Sequence, residues 1–229
     1  FDPKPKLEAM HGEPFPESVT RGEPIAQLQG KKLTCLAPQH EFKKYGESGQ
    51  NFSSIFPHLG GVADEIARIK KEFMAQWGPR LNSDEVPISP YRVFTELAKA
   101  VDVSNTIITH DSGYPREQLV PFWNTTTPRG YIGWGKSTQL GYGLGLIMGA
   151  KLAEPDKLCV NMMGDAAIGM VGMDIETAVR SKLGILTIVF NNGIMAIERN
   201  NMPYSAEAYD TLRQGGDYAG VAKALGAWG

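Results

Sequence analysis

From Ser89 onward the chain alternates short apolar runs with amphipathic stretches, and each apolar run ends in polar residues. Residues 106–109, 158–163 and 185–190 are rich in Ile, Val, Leu and Met, with a shorter run near Tyr131. Such short runs fit strands better than helices. Helical patterns lie between them. Ser89 and Pro90 stand as N-cap and first helical residue before a stripe of Val93, Phe94, Leu97, Ala98 and Val101. Further helical stretches cover about 116–123, 141–153 and 172–182. Near-continuous apolar strands separated by helices predict an α/β fold, a mostly parallel sheet with helices on both faces. Right-handed crossovers bring successive strand ends to one edge. Ligands of open α/β sheets bind at that edge.

The N-terminal region is different. Residues 1–60 are rich in Pro, Gly, Ser, Glu and Lys, and their only strand-like run is 32–37. A helix is predicted over 62–77, with Ile66, Ile69, Phe73 and Trp77 on one face and Gly78-Pro79 ending it. Residues 1–80 therefore read as an irregular arm, a connector or the remnant of a preceding domain, and 81–229 as the ligand-binding domain. The chain starts at Phe1 and stops at Gly229, where another strand is expected. It reads as a C-terminally incomplete piece of a larger protein.

Charge and composition exclude several functions. With 23 basic and 25 acidic residues, the chain has no electrostatic footprint for nucleic acid or an anionic membrane. No run approaches the ~20 apolar residues of a membrane helix, and a cytoplasmic location is expected. Cys35 and Cys159 form no disulfide framework or CxxC site, and His11, His40, His58 and His110 have no zinc-ligand spacing. The methionines at 162, 163, 170, 173 and 195 read as core and crevice filler.

The polar residues at the strand ends carry the chemistry. Asp165 and Asn192 each follow an apolar strand, with one crossover between them, so both emerge at the same sheet edge. A carboxylate, an amide oxygen and a nearby backbone carbonyl form an oxygen-only half-shell suited to Mg²⁺, which takes its remaining positions from phosphate and water. Gly164 would let a phosphate approach the backbone closely. Alone, a Gly-Asp at a strand end is simply a turn.

Gly164-Asp165-Ala166 followed by Asn191-Asn192 resembles the GDG…NN signature of thiamine-diphosphate (ThDP) enzymes. From about Pro87 onward the chain is similar to the C-terminal domain of the acetolactate synthase and 2-oxo-acid decarboxylase group. The similarity includes Pro121-Phe122-Trp123-Asn124, the glycine-rich run 140–144 and the stretch 151–156. The resemblance implies the ThDP-binding fold, with Asp165, Asn192 and the carbonyl of Ile194 on Mg²⁺. It implies that Ser112, Gly113, Tyr114, Gly164, Ala166 and Ala167 lie against the diphosphate. Leu140 would sit beneath the cofactor and impose its V shape, and the backbones of Thr138 and Leu140 would meet the aminopyrimidine.

The activity so implied is that of a lyase or carboligase acting on a small 2-oxo acid, releasing an aldehyde or joining a second carbonyl compound. Some relatives also bind FAD in a middle domain; no such domain is recognisable here, and FAD stays open. No segment resembles the pyrimidine-binding domain that supplies the family's activating glutamate. A homo-oligomer or a partner chain bearing that domain is therefore expected, and this chain alone should be inactive.

Ala166 departs from the second Gly of the signature, and Tyr114-Pro115-Arg116 from a polar stretch. Glu198 and Asn201 replace apolar or aromatic substrate contacts, which bears on the substrate more than on the cofactor. Glu198 and His110 are candidates for proton transfer, each weighed against a plain solvated or core role. The alternatives are a ThDP-binding subunit of a split two-chain decarboxylase and a nucleotide-binding oxidoreductase. The oxidoreductase draws on the turn Gly141-Tyr142-Gly143-Leu144-Gly145, but the turn lacks the third glycine of GxGxxG and no clear strand leads into it.

Overall fold

A computed structural model describes residues 4–21, 32–133 and 139–229. The chain divides into two compact units, Phe1–Trp77 and Gly78–Gly229.

The first unit holds short helices α1 (Pro5–Ala9) and α2 (Glu17–Thr20), an antiparallel hairpin of β1 (Phe42–Tyr45) and β2 (Gln50–Ser53), helix α3 (Pro57–Gly61) and the start of α4 (Ala63–Leu81). The hairpin lies where the sequence shows no strand signal, because its residues are mostly polar and half or fully exposed. Gly46 and Gly49, both at φ +64°, close its turn. The Asp64 carboxylate accepts the Glu47 and Ser48 N–H groups at 3.0 and 2.8 Å. These bonds, the Ser48 N–H first, hold its pKa below the usual carboxylate value. The run 32–37 forms no strand: Thr34 makes only an isolated bridge to Pro14.

Helix α4 corrects the expected stop at Gly78-Pro79. It runs on to Leu81 with Pro79 inside it. Proline clashes with the Cβ of the residue before it, and Gly78 has none. The Asn82 backbone N–H and side-chain amide both donate to the Gly78 carbonyl, closing the last turn. Of the expected apolar face, Ile66 and Ile69 are exposed. Phe73 and Trp77 are half-buried, with ring centroids 6.0 Å apart.

The second unit contains α5 (Pro90–Ala100), β3 (Thr106–His110), α6 (Tyr114–Leu119), β4 (Tyr131–Ile132), α7 (Tyr142–Ala153), β5 (Leu158–Gly164), α8 (Asp165–Val171), α9 (Ile175–Arg180), β6 (Ile185–Phe190), α10 (Pro203–Tyr209) and α11 (Tyr218–Ala224). Strands pair in the order β4-β3-β5-β6, all parallel. Ser89 occupies the N-cap position of α5 without a side-chain capping bond. Helix α6 starts earlier than the predicted stretch. The predicted helix over 172–182 is a 3₁₀ turn (Gly172–Asp174) followed by α9. Helix α8 lies where none is predicted, since Asp165 begins it with no intervening loop.

Period-two alternation splits the core between the two faces of the sheet. Ile108, Val160 and Met162 pack with Phe94 and Leu97 of α5, Leu119 of α6, and Trp123. Ile107 and Cys159 pack with Ile147 and Ala150 of α7, and Met163 with Leu144, Ala167, Ile168 and Ile175. Ile108 has no exposed surface. Ile108→Val removes one buried methylene, and urea denaturation should show a loss of ~0.5–1.5 kcal/mol.

Strand order creates the crevice. The chain steps from β3 to β4 on one side, then returns to place β5 on the other side of β3 and β6 beyond it. The direction of progression reverses between β3 and β5. Loops leaving the carboxyl ends of those two strands go to opposite faces and part above the sheet, leaving a gap in which a ligand can sit.

Candidate functional site

Three strand-end loops converge on that gap. The loop after β3 carries Asp111, Ser112 and Gly113; β5 delivers Gly164 and Asp165; β6 delivers Asn191, Asn192, Gly193 and Ile194. Gly113 adopts φ +90°, which favours glycine. A Cβ there would lie 3.8 Å from Ile197 Cδ1, so the 3₁₀ turn Ala196–Asn200 reaches the β3 loop. Above Gly164 a Cβ would meet only Pro115 Cγ, at 3.9 Å, and the space over its backbone is open to a ligand.

Asp165 is 2% exposed. Its Oδ1 accepts the Ala166 N–H at 2.8 Å and its Oδ2 accepts the Gly193 N–H at 2.7 Å. The second bond ties the β6 loop to the β5 end, so the structure brings the neighbourhood of Asn192 onto Asp165. Asn192 Oδ1 accepts the Ile194 N–H at 3.1 Å. Ile194 forms an isolated bridge with Arg213 whose bonds use the Gly193 carbonyl and the Met195 N–H, leaving the Ile194 carbonyl out of them. A carboxylate has about four lone-pair directions and an amide oxygen two, so both side chains retain acceptor capacity. No cluster of three or more His, Cys, Asp or Glu side chains suited to a metal occurs among the described residues. A single carboxylate with an amide and a carbonyl fits Mg²⁺ completed by phosphate oxygens, and does not resemble an all-protein cage.

The other expected residues lie on the neighbouring elements. Ser112 is half-buried, and Tyr114 is exposed at the start of α6. Ala166 gives its N–H to Asp165, while the Ala167 side chain is fully buried beside Leu144 and Met163. Leu140 packs against the same cluster. Thr138 lies outside the described residues. Glu198 is half-buried in the 3₁₀ turn and accepts a bond from the Asn201 amide at 3.0 Å. A cavity of ≈ 620 Å³ opens elsewhere, along the outer side of β6 between Val179, Leu186, Tyr218 and Trp228.

His110 belongs to the core. It is 2% exposed, tilted against Tyr131 with ring centroids 5.5 Å apart. Its Nδ1 lies 3.1 Å from the Asp111 carbonyl and 3.0 Å from the Tyr142 hydroxyl.

Burial also depresses the His110 pKa below its ordinary 6.5. The folded protein then binds fewer protons at this ring than the unfolded chain. The stability involved is complete above about pH 6.5 and is lost as pH falls through the folded pKa. Buried Asp111, whose pKa is raised from 3.8 by burial, acts in the opposite sense. Melting temperature against pH, wild type minus His110→Gln, isolates the histidine: the difference should shrink as pH drops from 7 towards 5, on the order of the His transition.

Sequence reasoning missed a polar clamp beneath the glycine-rich turn. Asp111, with no exposed surface, accepts the Ser112 and Gly141 N–H groups on Oδ1, both at 2.8 Å, and the Gly143 N–H on Oδ2 at 3.3 Å. Thr109 donates to Asn161 Oδ1 at 3.1 Å, and its hydroxyl lies 3.3 Å from the Gly143 carbonyl. Gly141 has φ +94°, and a Cβ there would run into Val171. The only trace in the sequence is polar residues set into otherwise apolar strands.

This clamp disfavours the dinucleotide reading. The N–H groups that would cradle a pyrophosphate already face an internal carboxylate, which satisfies them and repels a second anion.

Residues 111–229 match the family model "Thiamine pyrophosphate enzyme, C-terminal TPP binding domain". Residues 1–74 match a family of proteins of unknown function, DUF1501. An acetolactate synthase large subunit of Mycobacterium tuberculosis is 32% identical over 191 residues, 81% of this chain and 35% of that protein. A 2-hydroxyacyl-CoA lyase of Arabidopsis thaliana is 29% identical over 133 residues, 57% of this chain and 23% of its own length. A sulfoacetaldehyde acetyltransferase of Alcaligenes xylosoxydans xylosoxydans is 30% identical over 144 residues, 62% and 24% of the two chains. The chain thus spans about a third or less of the length of these relatives. No helix among the described residues is long and apolar enough to cross a membrane.

Proposed function

The chain belongs to the thiamine pyrophosphate enzymes, whose C-terminal TPP binding domain residues 111–229 match, and from that premise we propose that it supplies the diphosphate- and Mg²⁺-binding half of a lyase or carboligase acting on a small 2-oxo acid. The observation that supports the reading is the Gly193 N–H bond to Asp165, which ties the loop carrying Asn192 and Ile194 to the buried carboxylate at the carboxyl end of β5.

In this reading Asp165, Asn192 and the Ile194 carbonyl hold Mg²⁺. Ser112, Gly113, Tyr114, Ala166 and Ala167 line the diphosphate, with Gly164 leaving room for it. Leu140 supports the rings from below. Bound there, ThDP supplies a nucleophilic carbon and an electron sink for the 2-oxo acid. The chain's own residues fix its position, with the buried apolar cluster of Leu144, Met163 and Ala167 packed behind Leu140. Glu198 is a candidate for moving a proton, because its turn reaches the β3 loop through Ile197. The activating glutamate comes from another chain or segment, as an oligomer in the cytosol would provide.

Competition tests the site. Inorganic pyrophosphate with Mg²⁺ should displace ThDP from the protein, and NAD⁺ should not. Displacement by NAD⁺ would return the nucleotide reading. Release of CO₂ from pyruvate and other small 2-oxo acids, dependent on ThDP and Mg²⁺, tests the reaction class in the assembled enzyme.

A further inference from the structure

The position of Asp111 bears on how the two ends of a cofactor are held. It is a fully buried carboxylate with three backbone N–H groups on its two oxygens. Its own N–H donates to the Met162 carbonyl at 2.7 Å, anchoring it to β5 as well as β3. The three donors come from two separate parts of the crevice. Ser112 belongs to the loop after β3; Gly141 and Gly143 belong to the start of α7, directly after Leu140. A buried carboxylate is tolerable only when its lone pairs are met, and here the positive end of a twelve-residue helix adds to the bonds. The charge therefore fixes the distance between the loop and the helix start.

We propose that Asp111 is a positioning residue that sets the spacing between the diphosphate loop at Ser112–Gly113 and the supporting step at Leu140–Gly141, so that a ligand needing both is held and a ligand needing only the loop is indifferent to it. The proposal rests on the thiamine-diphosphate reading of this crevice. Asn at this position keeps the size of Asp. Its oxygen can still accept from Ser112 and Gly141, but its NH₂ faces the Gly143 N–H, donor against donor. The helix start loses one acceptor and the charge that drew it in.

The test compares Asp111→Asn with Leu97→Ala, a core variant of α5 far from these bonds, in the whole chain. Without ligand, amide hydrogen exchange at Gly141 and Gly143 should speed up by about tenfold or more in Asp111→Asn, relative to the β5 and β6 amides of the same protein. Leu97→Ala should leave that ratio unchanged. With Mg²⁺ present, the Kd for ThDP should rise about tenfold in Asp111→Asn while the Kd for inorganic pyrophosphate changes less than about threefold.

Equal loss of both ligands, or no loss of either, overturns the proposal. Unchanged exchange at Gly141 and Gly143 overturns it even without a ligand. Wild-type protein that binds no ThDP, both as this chain and as the assembled enzyme, instead sinks the cofactor-site reading on which the proposal rests, a result distinct from a variant that binds as well as wild type.

Discussion

Asp165→Ala should abolish Mg²⁺-dependent binding of ThDP, raising its Kd by at least about two orders of magnitude. Two effects act together. The alanine removes the only carboxylate in the expected half-shell, so the metal is left with neutral oxygens. It also frees the Gly193 N–H, the bond that holds the Asn192 loop against β5. The second effect costs stability as well, since two N–H groups lose their acceptor at about 1–3 kcal/mol each where water cannot replace it. Asp165→Asn separates the effects. It keeps an oxygen for one N–H and loses the charge, so it should recover part of the stability and little of the affinity. Undiminished binding in both variants would show that this carboxylate holds no metal.

The glycine-rich turn gives the second large effect, one of opposite sign at two neighbouring positions. A Cβ on Gly143 would stand 2.6 Å from Asn161 Oδ1, 2.9 Å from the His110 carbonyl oxygen and 3.2 Å from Asp111 Oδ2. The carbonyl is main chain of β3 and cannot turn aside. Gly143→Ala should therefore destabilise the fold by ~1–3 kcal/mol, and weaken ligand binding by moving the start of α7. Gly145, two residues along the same helix, is exposed, and a methyl placed on it would have nothing within 4 Å. Gly145→Ala should stabilise by roughly 0.5–1 kcal/mol through the entropy of the unfolded chain. Chemical denaturation of the pair decides it: equal effects would mean that α7 does not dock against the strand ends as described.

The sheet was legible in the sequence because its central strands β3 and β5 are buried almost throughout and β6 beside them is apolar. Residues 158–163 and 185–190 are apolar almost throughout, and that density allows few other placements. Site residues at the ends of such strands are legible for the same reason, since the point where the run stops is where the chain leaves the core. Helix α8 left no such mark, because Asp165 is both the end of one element and the start of the next. In the first unit, β1 and β2 are too polar to announce themselves, and Pro79 reads as a stop unless the absent Cβ of Gly78 is considered. The clamp was hidden for another reason. Asp111 meets Gly141 across 30 positions, and Thr109 meets Asn161 across 52. Hydrogen bonds of that reach have no periodicity to detect, so a buried Asp looks like any other residue in a turn.

The most direct test of the central claim is calorimetric titration of ThDP into the purified protein, with and without Mg²⁺. Saturable binding that requires Mg²⁺ and is lost in Asp165→Ala is the predicted result. No binding of ThDP under either condition, by this chain and by the assembled enzyme, would contradict it.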